Sequence, residues 1–199
     1  MTEKPARSAI VHQRERVFDG FFKIDRAIVS YADEYGANER VKLEVFERGD
    51  SAAAVLHHRE RGEIILTEQF RYPTYEKGPG WMIELVAGSI DTGETAEDCI
   101  RREIREEVGY EVASLDFIAR FYVSPGGTSE RIWVFYCVVT DGDLKDPSAQ
   151  GVAGQNERVT RLVWSEAQFF SAIDNAEIQD AKTIIGAQWL RQKLAADRG

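Results

Sequence analysis

From Arg16 the hydrophobic pattern is strand-like to about residue 90, then helical, then strand-like again, and helical at the end. From Arg16 to about Val45, β-branched and aromatic residues dominate: VFDGFFKIDRAIVSYAD, a polar break YGANER, then VKLEVFERG. This predicts antiparallel strands with a turn near Gly36-Ala37-Asn38, and residues 1–14 read as a loose arm. SAAAVLHHRERGEIILTEQFRY predicts a hairpin turning near Arg61-Gly62. Pro73, Gly78, Pro79 and Gly80 predict an irregular loop, and WMIELVAGSID a strand that runs into a glycine-containing loop.

TAEDCIRREIREEVG carries helix signals at both ends. Thr95 is placed to cap the start, with Asp98 three residues on as a weak capping box. Ala96, Ile100, Ile104 and Val108 recur every fourth residue and make one apolar stripe, and Gly109 is the expected stop. Beyond it, VASLDFIARFYV and RIWVFYCVV predict strands flanking SPGGTSE, DGDLKDPSAQGVAGQNE a polar loop, and RVTRLVW a late strand. Helical patterns cover roughly 165–173 and 179–194. The chain shows no internal repeat. The order of elements favours an α+β sandwich over a regularly alternating parallel α/β fold.

Composition narrows the function classes. The 199 residues are 43% apolar and 30% charged, ordinary for a globular chain of one domain with a small appendage. No apolar run approaches the ~18 residues that span a bilayer, so no membrane partner is expected. The start, MTEKPARSAIVHQRER, lacks a signal-like apolar core, so a cytoplasmic location is expected. Cys99 and Cys137 then read as reduced thiols. His12, His57 and His58 form no ligand spacing with them, so no zinc site is assigned. A net charge of −9 argues against a nucleic-acid partner. An anionic small substrate would need a cation between it and the protein.

Gly88 to Tyr110, GSIDTGETAEDCIRREIREEVGY, supplies the means to hold one. Glu103, Glu106 and Glu107 stand at i, i+3 and i+4, on adjoining parts of one helix surface. Three carboxylates this close repel one another unless compensated by Lys or Arg, or by a hard divalent cation such as Mg²⁺ or Mn²⁺. The segment fits G-x5-E-x7-R-E-U-x-E-E-x-G-U without a gap, U being a bulky apolar residue, at Gly88, Glu94, Arg102, Glu103, Ile104, Glu106, Glu107, Gly109 and Tyr110. A chance match is about 10⁻⁵ for the chain at average residue usage. The pattern resembles the Nudix box. Tyr110 departs mildly from it, since an aliphatic residue is commoner there.

The resemblance implies a Nudix α/β/α sandwich around a mixed sheet, and hydrolysis of a nucleoside diphosphate linked to a further group. It implies that Glu103, Glu106 and Glu107 bind Mg²⁺, or Mn²⁺ in its place, helped by the Ala87 carbonyl. Gly88, Glu94, Arg102 and Gly109 would be structural, Glu94 and Arg102 as a salt bridge. EQFRY, IELVAGSID, SPGGTSER and IQDAKTIIGAQWL are similar to the ADP-ribose pyrophosphatase branch, whose relatives include GDP-mannose pyrophosphatases. That likeness makes ADP-ribose the expected substrate, with GDP-mannose the alternative and a non-catalytic Nudix-fold binding module the alternative of another class. In this branch the catalytic base often lies on a loop after the box. Here that loop is GVAGQNERV, and Glu157 is its one carboxylate. Arg71, Glu84, Glu130 and Arg131 are candidate substrate contacts. The resemblance also implies a homodimer paired through an N-terminal β region at 1–48, with the hydrolase domain at 49–199. Phe21, Phe22 and Tyr31 are then candidates for core packing or base stacking.

Overall fold

Alternating side chains on a strand must find two different surroundings, and the two β-rich parts of this chain solve that differently. The structure is a computed structural model that describes residues 7–151 and 158–197. It divides into two units. One runs through Gly49 and includes Tyr122–Glu130; the other holds Asp50–Phe121 and everything from Arg131 on.

The first unit is an antiparallel meander of β1 (Ser8–Asp19), β2 (Lys23–Asp33) and β3 (Gly36–Glu47), in that order. The expected loose arm is therefore strand from Ser8 on. SAIVHQRER has no clean alternation, but β2 supplies a ladder partner from Ser8 opposite Ala32 to Asp19 opposite Lys23, with irregularities at His12 and Val17. Ion pairs across that ladder hold it: Arg14 Nη2 and Arg16 Nε reach Asp25 at 2.5 and 2.8 Å. The second turn sits at Glu34-Tyr35, ahead of the predicted place, because the Asp33 carboxylate accepts the Tyr35 N–H at 2.8 Å. Phe21, Phe22 and Tyr31 are not core residues. Phe21 is 91% exposed, and Phe22 stands edge-on to Phe21 and Phe46. Among its described residues the unit has no helix to cover either face of the sheet, so these aromatic side chains stay open.

The second unit is a sandwich. Its sheet has the order β10-β5-β4-β9-β8, from β4 (Ser51–His58), β5 (Glu63–Phe70), β8 (Asp116–Tyr122), β9 (Arg131–Val138) and β10 (Val159–Ser165). β4 and β9 run parallel, while β4–β5 and β5–β10 are antiparallel, so the sheet is mixed. β4 and β5 pair only next to their hairpin, Leu56–His58 against Glu63–Ile65, and then diverge. The expected single strand after the loop splits to fill that gap. β6 (Trp81–Glu84) pairs with the half of β5 away from the hairpin, Thr67–Phe70, and β7 (Val86–Ser89) with the half of β4 away from it, Ser51–Ala54. Leu85 marks the break between them. The loop before β6 holds one short helical turn, α1 (Tyr72–Tyr75).

Helices cover both faces. On one, Leu56, Ile65, Phe135 and Cys137 pack against Ile100, Ile104 and Val108 of the helical stripe read from the sequence, with Ala96 at its partly buried edge and Cys99 beside it. On the other, Val55, Ile64, Leu66 and Val134 pack against Phe169 and Ala172 of α3 (Glu166–Asp174) and Ala187 and Leu190 of α4 (Ala181–Ala196). The sandwich and mixed sheet match the expected fold class. Both cysteines are buried free thiols.

Candidate active site

The site grows from one helix and the strand it packs on. Thr95 Oγ accepts the Asp98 N–H and starts α2 (Ala96–Glu103), as the capping signal predicts. The helix then widens into a π-turn, Ile104–Val108, and ends at Gly109 with φ +76°. π-turns recur at functional sites, and a stripe with a four-residue repeat gives no hint of this one. The carbonyls it leaves outside the helical ladder find partners: Gly151 N–H donates to Glu106, and Arg161 Nη1 to Val108 at 2.9 Å. A Cβ on Gly109 would lie 1.8 Å from the Asp146 carbonyl oxygen. The glycine thus meets both a conformational and a steric demand.

The three carboxylates have different surroundings. Glu103 lies directly on Gly88 of β7, where a Cβ would fall 1.8 Å from its Oε1. Glu106 is the most open of the three, with its side chain 32% exposed. Glu107 is buried and accepts the Ala87 N–H at 3.4 Å. Burial, and then the charge of Glu103, push its carboxyl up to about 8. Arg102 organises the group. Its Nε and Nη2 each reach Glu94 at 3.0 Å, and its Nη1 reaches Glu103 at 2.6 Å and Glu106 at 3.4 Å. These bonds raise the guanidinium pKa further. The expected Glu94–Arg102 pair is thus present, and Arg102 also draws in two box carboxylates. Among the described residues no three His, Cys, Asp or Glu side chains form a ready ligand set. Arg102 holds Glu103 and Glu106 while Glu107 turns to Ala87.

Behind this group lies a buried ionic cluster. Glu84, at the end of β6, accepts from Arg71 Nε at 2.8 Å and Nη2 at 3.2 Å, and from Lys182 Nζ. Burial alone would raise the Glu84 carboxyl, but Lys182 and Arg71 outweigh it and hold it at about 2. Lys182 is buried too and also meets Asp180 at 3.1 Å. Arg71 and Glu84 are therefore brought together, each within electrostatic range of Glu107. Arg131 is held by Asp50, Nη2 to Oδ2 at 2.6 Å, and lies over the Trp133 ring. Glu130 belongs to the first unit, where it meets Arg48 at 3.4 Å. Glu157 lies outside the described residues.

Lys182 and Asp50 escaped the sequence reading. One signal pointed to Lys182: a lysine at the second position of a helix opposes the helix dipole, and needs carboxylates beside it. Asp50 left no such mark.

A mixed-sheet sandwich whose box helix gathers acidic side chains against a glycine-lined strand defines the class. The NUDIX domain model matches residues 48–185, and the chain belongs to the Nudix family. It is 35% identical to a GDP-mannose pyrophosphatase of Pectobacterium atrosepticum over 175 residues, 87% of this chain and 89% of that one. It is 34% identical to an ADP-ribose pyrophosphatase of Escherichia coli over 183 residues, 89% and 85% of the two chains. The crystal structure of an ADP compounds hydrolase superposes with a TM-score of 0.73 over 95% of both chains, at 18% identity, a likeness of fold. Among the described residues no helix is long and apolar enough to cross a membrane.

Proposed function

We propose that this chain hydrolyses the diphosphate bond of a nucleoside diphosphate sugar with the aid of a divalent cation, ADP-ribose giving AMP and ribose 5-phosphate. The observation that carries the reading is Glu107. A buried carboxyl held up at about 8, with Glu103 against Gly88 beside it, suits a site completed by positive charge. Glu103, Glu106 and Glu107, with the Ala87 carbonyl, are the donors for that ion, and an all-oxygen set of this kind fits Mg²⁺, or Mn²⁺ in its place. Such an ion supplies charge neutralisation for the diphosphate and acidifies the attacking water.

The chain's own residues do the rest. Arg102, fixed by Glu94, balances part of the acidic cluster and keeps the box helix in register with β7. Arg71, anchored on Glu84, offers a forked donor to a phosphate oxygen. Arg131 and Glu130 are proposed contacts to the sugar side. Glu157 is the proposed acceptor of the water's proton. Water adds to one phosphorus, the bridging P–O bond breaks, and two phosphate monoesters leave.

GDP-mannose, giving GMP and mannose 1-phosphate, is the second reading, because the two kinds of relative are about equally similar to this chain. A non-catalytic ligand-binding module fits less well, since every box carboxylate is in place. The first unit is the proposed dimer contact: Ile10, Val11, Phe18 and Leu43 stand exposed on its strands. The deciding experiment is product identification with Mg²⁺ in ¹⁸O-water across ADP-ribose and GDP-mannose. Release of a nucleoside monophosphate and a sugar phosphate, one of them carrying ¹⁸O, is expected; tight binding of either compound without turnover would favour the binding module.

A further inference from the structure

Lys182 is the second residue of α4, buried, and placed where the helix dipole disfavours a cation. A buried ammonium persists when carboxylates face it, and here two do, Glu84 and Asp180. Asp180 is held in turn: as the α4 cap it accepts from Thr183 N at 3.0 Å and from Thr183 Oγ1 at 2.5 Å. Glu84 is therefore gripped twice, from inside by Lys182 and from outside by Arg71, whose side chain is 36% exposed.

The start of α4 cannot drift from this position. At Leu85, where the chain leaves β5 for β4, the backbone N–H has passed between ladders, and Thr183 Oγ1 accepts it at 2.9 Å. One turn on, Gly186 brings the helix down onto the same residue, with no room for a Cβ, which would lie 2.9 Å from Leu85 Cδ1. Lys182, Thr183 and Gly186 thus fasten one helix end to the strand break that carries Glu84 on one side and Ala87 on the other. Glu84 takes the Nε/Nη2 edge of the Arg71 guanidinium and fixes its plane.

We propose that Lys182 is a positioning residue for diphosphate binding: it locks Glu84, and Glu84 sets the plane in which Arg71 meets the phosphates. The inference rests on the pyrophosphatase reading and extends it to a residue that touches no substrate. Its effect runs through Arg71, which grips the diphosphate before and during reaction alike, so its loss is felt in KM more than in kcat.

The test is steady-state kinetics at saturating Mg²⁺ on whichever of ADP-ribose and GDP-mannose the wild type turns over. Lys182→Met is expected to raise KM about tenfold with kcat within about threefold, and Lys182→Arg to recover most of the loss. Arg71→Gln should raise KM at least as much, and Arg71→Gln/Lys182→Met should be no worse than Arg71→Gln alone, since both act on one contact. Should Lys182→Met fail to fold, Glu84→Gln/Lys182→Met takes the charge from both members of the buried pair, leaves Asp180 its cap bonds to Thr183, and should show the same rise in KM. An unchanged KM in the folded Lys182 variant, or losses that multiply in the double variant, would overturn the inference while the pyrophosphatase reading stands. A wild type inactive on both compounds would overturn the two together.

Discussion

Glu107 is an acid kept largely protonated near neutral pH by its surroundings, and that has a measurable consequence. The folded chain holds this proton up to about pH 8, whereas the unfolded chain releases it near 4.5. Between those values the native state binds more protons, so without metal its stability falls as pH rises through the window. Glu107→Gln removes the penalty. In EDTA at pH 8.5 its Tm should exceed that of the wild type by roughly 5 °C, the gap closing toward pH 5; a gap that does not vary with pH would contradict the assignment. The two glycines of the box offer a contrast at the same scale. At Gly88 the obstacle to a Cβ is the Glu103 side chain, which can swing away; at Gly109 it is the Asp146 backbone, which cannot, and φ is positive as well. Gly88→Ala should therefore cost at least tenfold in turnover with little loss of stability. Gly109→Ala should lower unfolding stability by about 2 kcal/mol or more in urea denaturation. Similar unfolding midpoints for the two would refute this distinction. The carboxylate spacing, Thr95 and Gly109 were legible because they act locally. Lys182 was not, since its carboxylates come from an adjacent helix cap and from a strand 98 residues away.

Elements were legible where pattern and pairing agree. The hairpin turn, the box helix, β9, β10 and both late helices fall within a residue or two of their predicted places, while β8 starts four residues inside its predicted stretch. The misses share a cause: a partner in space decided what local pattern left open. β1 begins at Ser8 because β2 offers it a ladder. The stretch Trp81–Ser89 reads as one strand, yet it divides because β4 and β5 splay apart and each half takes a different neighbour. The π-turn is invisible to a four-residue repeat because the same apolar positions stay buried through it. Its position is informative, since it holds Glu106 and Glu107 while α2 holds Glu103.

On the scale of the whole molecule, the first unit presents apolar side chains that nothing within it covers. Its strands expose Ile10, Val11, Phe18 and Leu43, and its first turn exposes Phe21. Apolar side chains left open on both faces of a sheet suit an interface, and the proposed occupant is a second copy of the chain. Light scattering after size exclusion should then report about twice the chain mass of 22.5 kDa. A mass of one chain at micromolar concentration would remove the dimer from the account and leave the hydrolase reading to stand on the second unit. Composition made an anionic substrate depend on a bound cation, and the buried carboxyl at Glu107 is the proposed place for it. Specificity between the two sugars left no comparable trace, because base and sugar recognition rests on a few polar contacts with no fixed spacing in the chain.

If the acidic box helix is the seat of hydrolysis, turnover at saturating Mg²⁺ should collapse in Glu107→Gln. With the far-UV circular dichroism unchanged, the variant should keep less than about 1% of wild-type kcat/KM; turnover close to that of the wild type would contradict the claim.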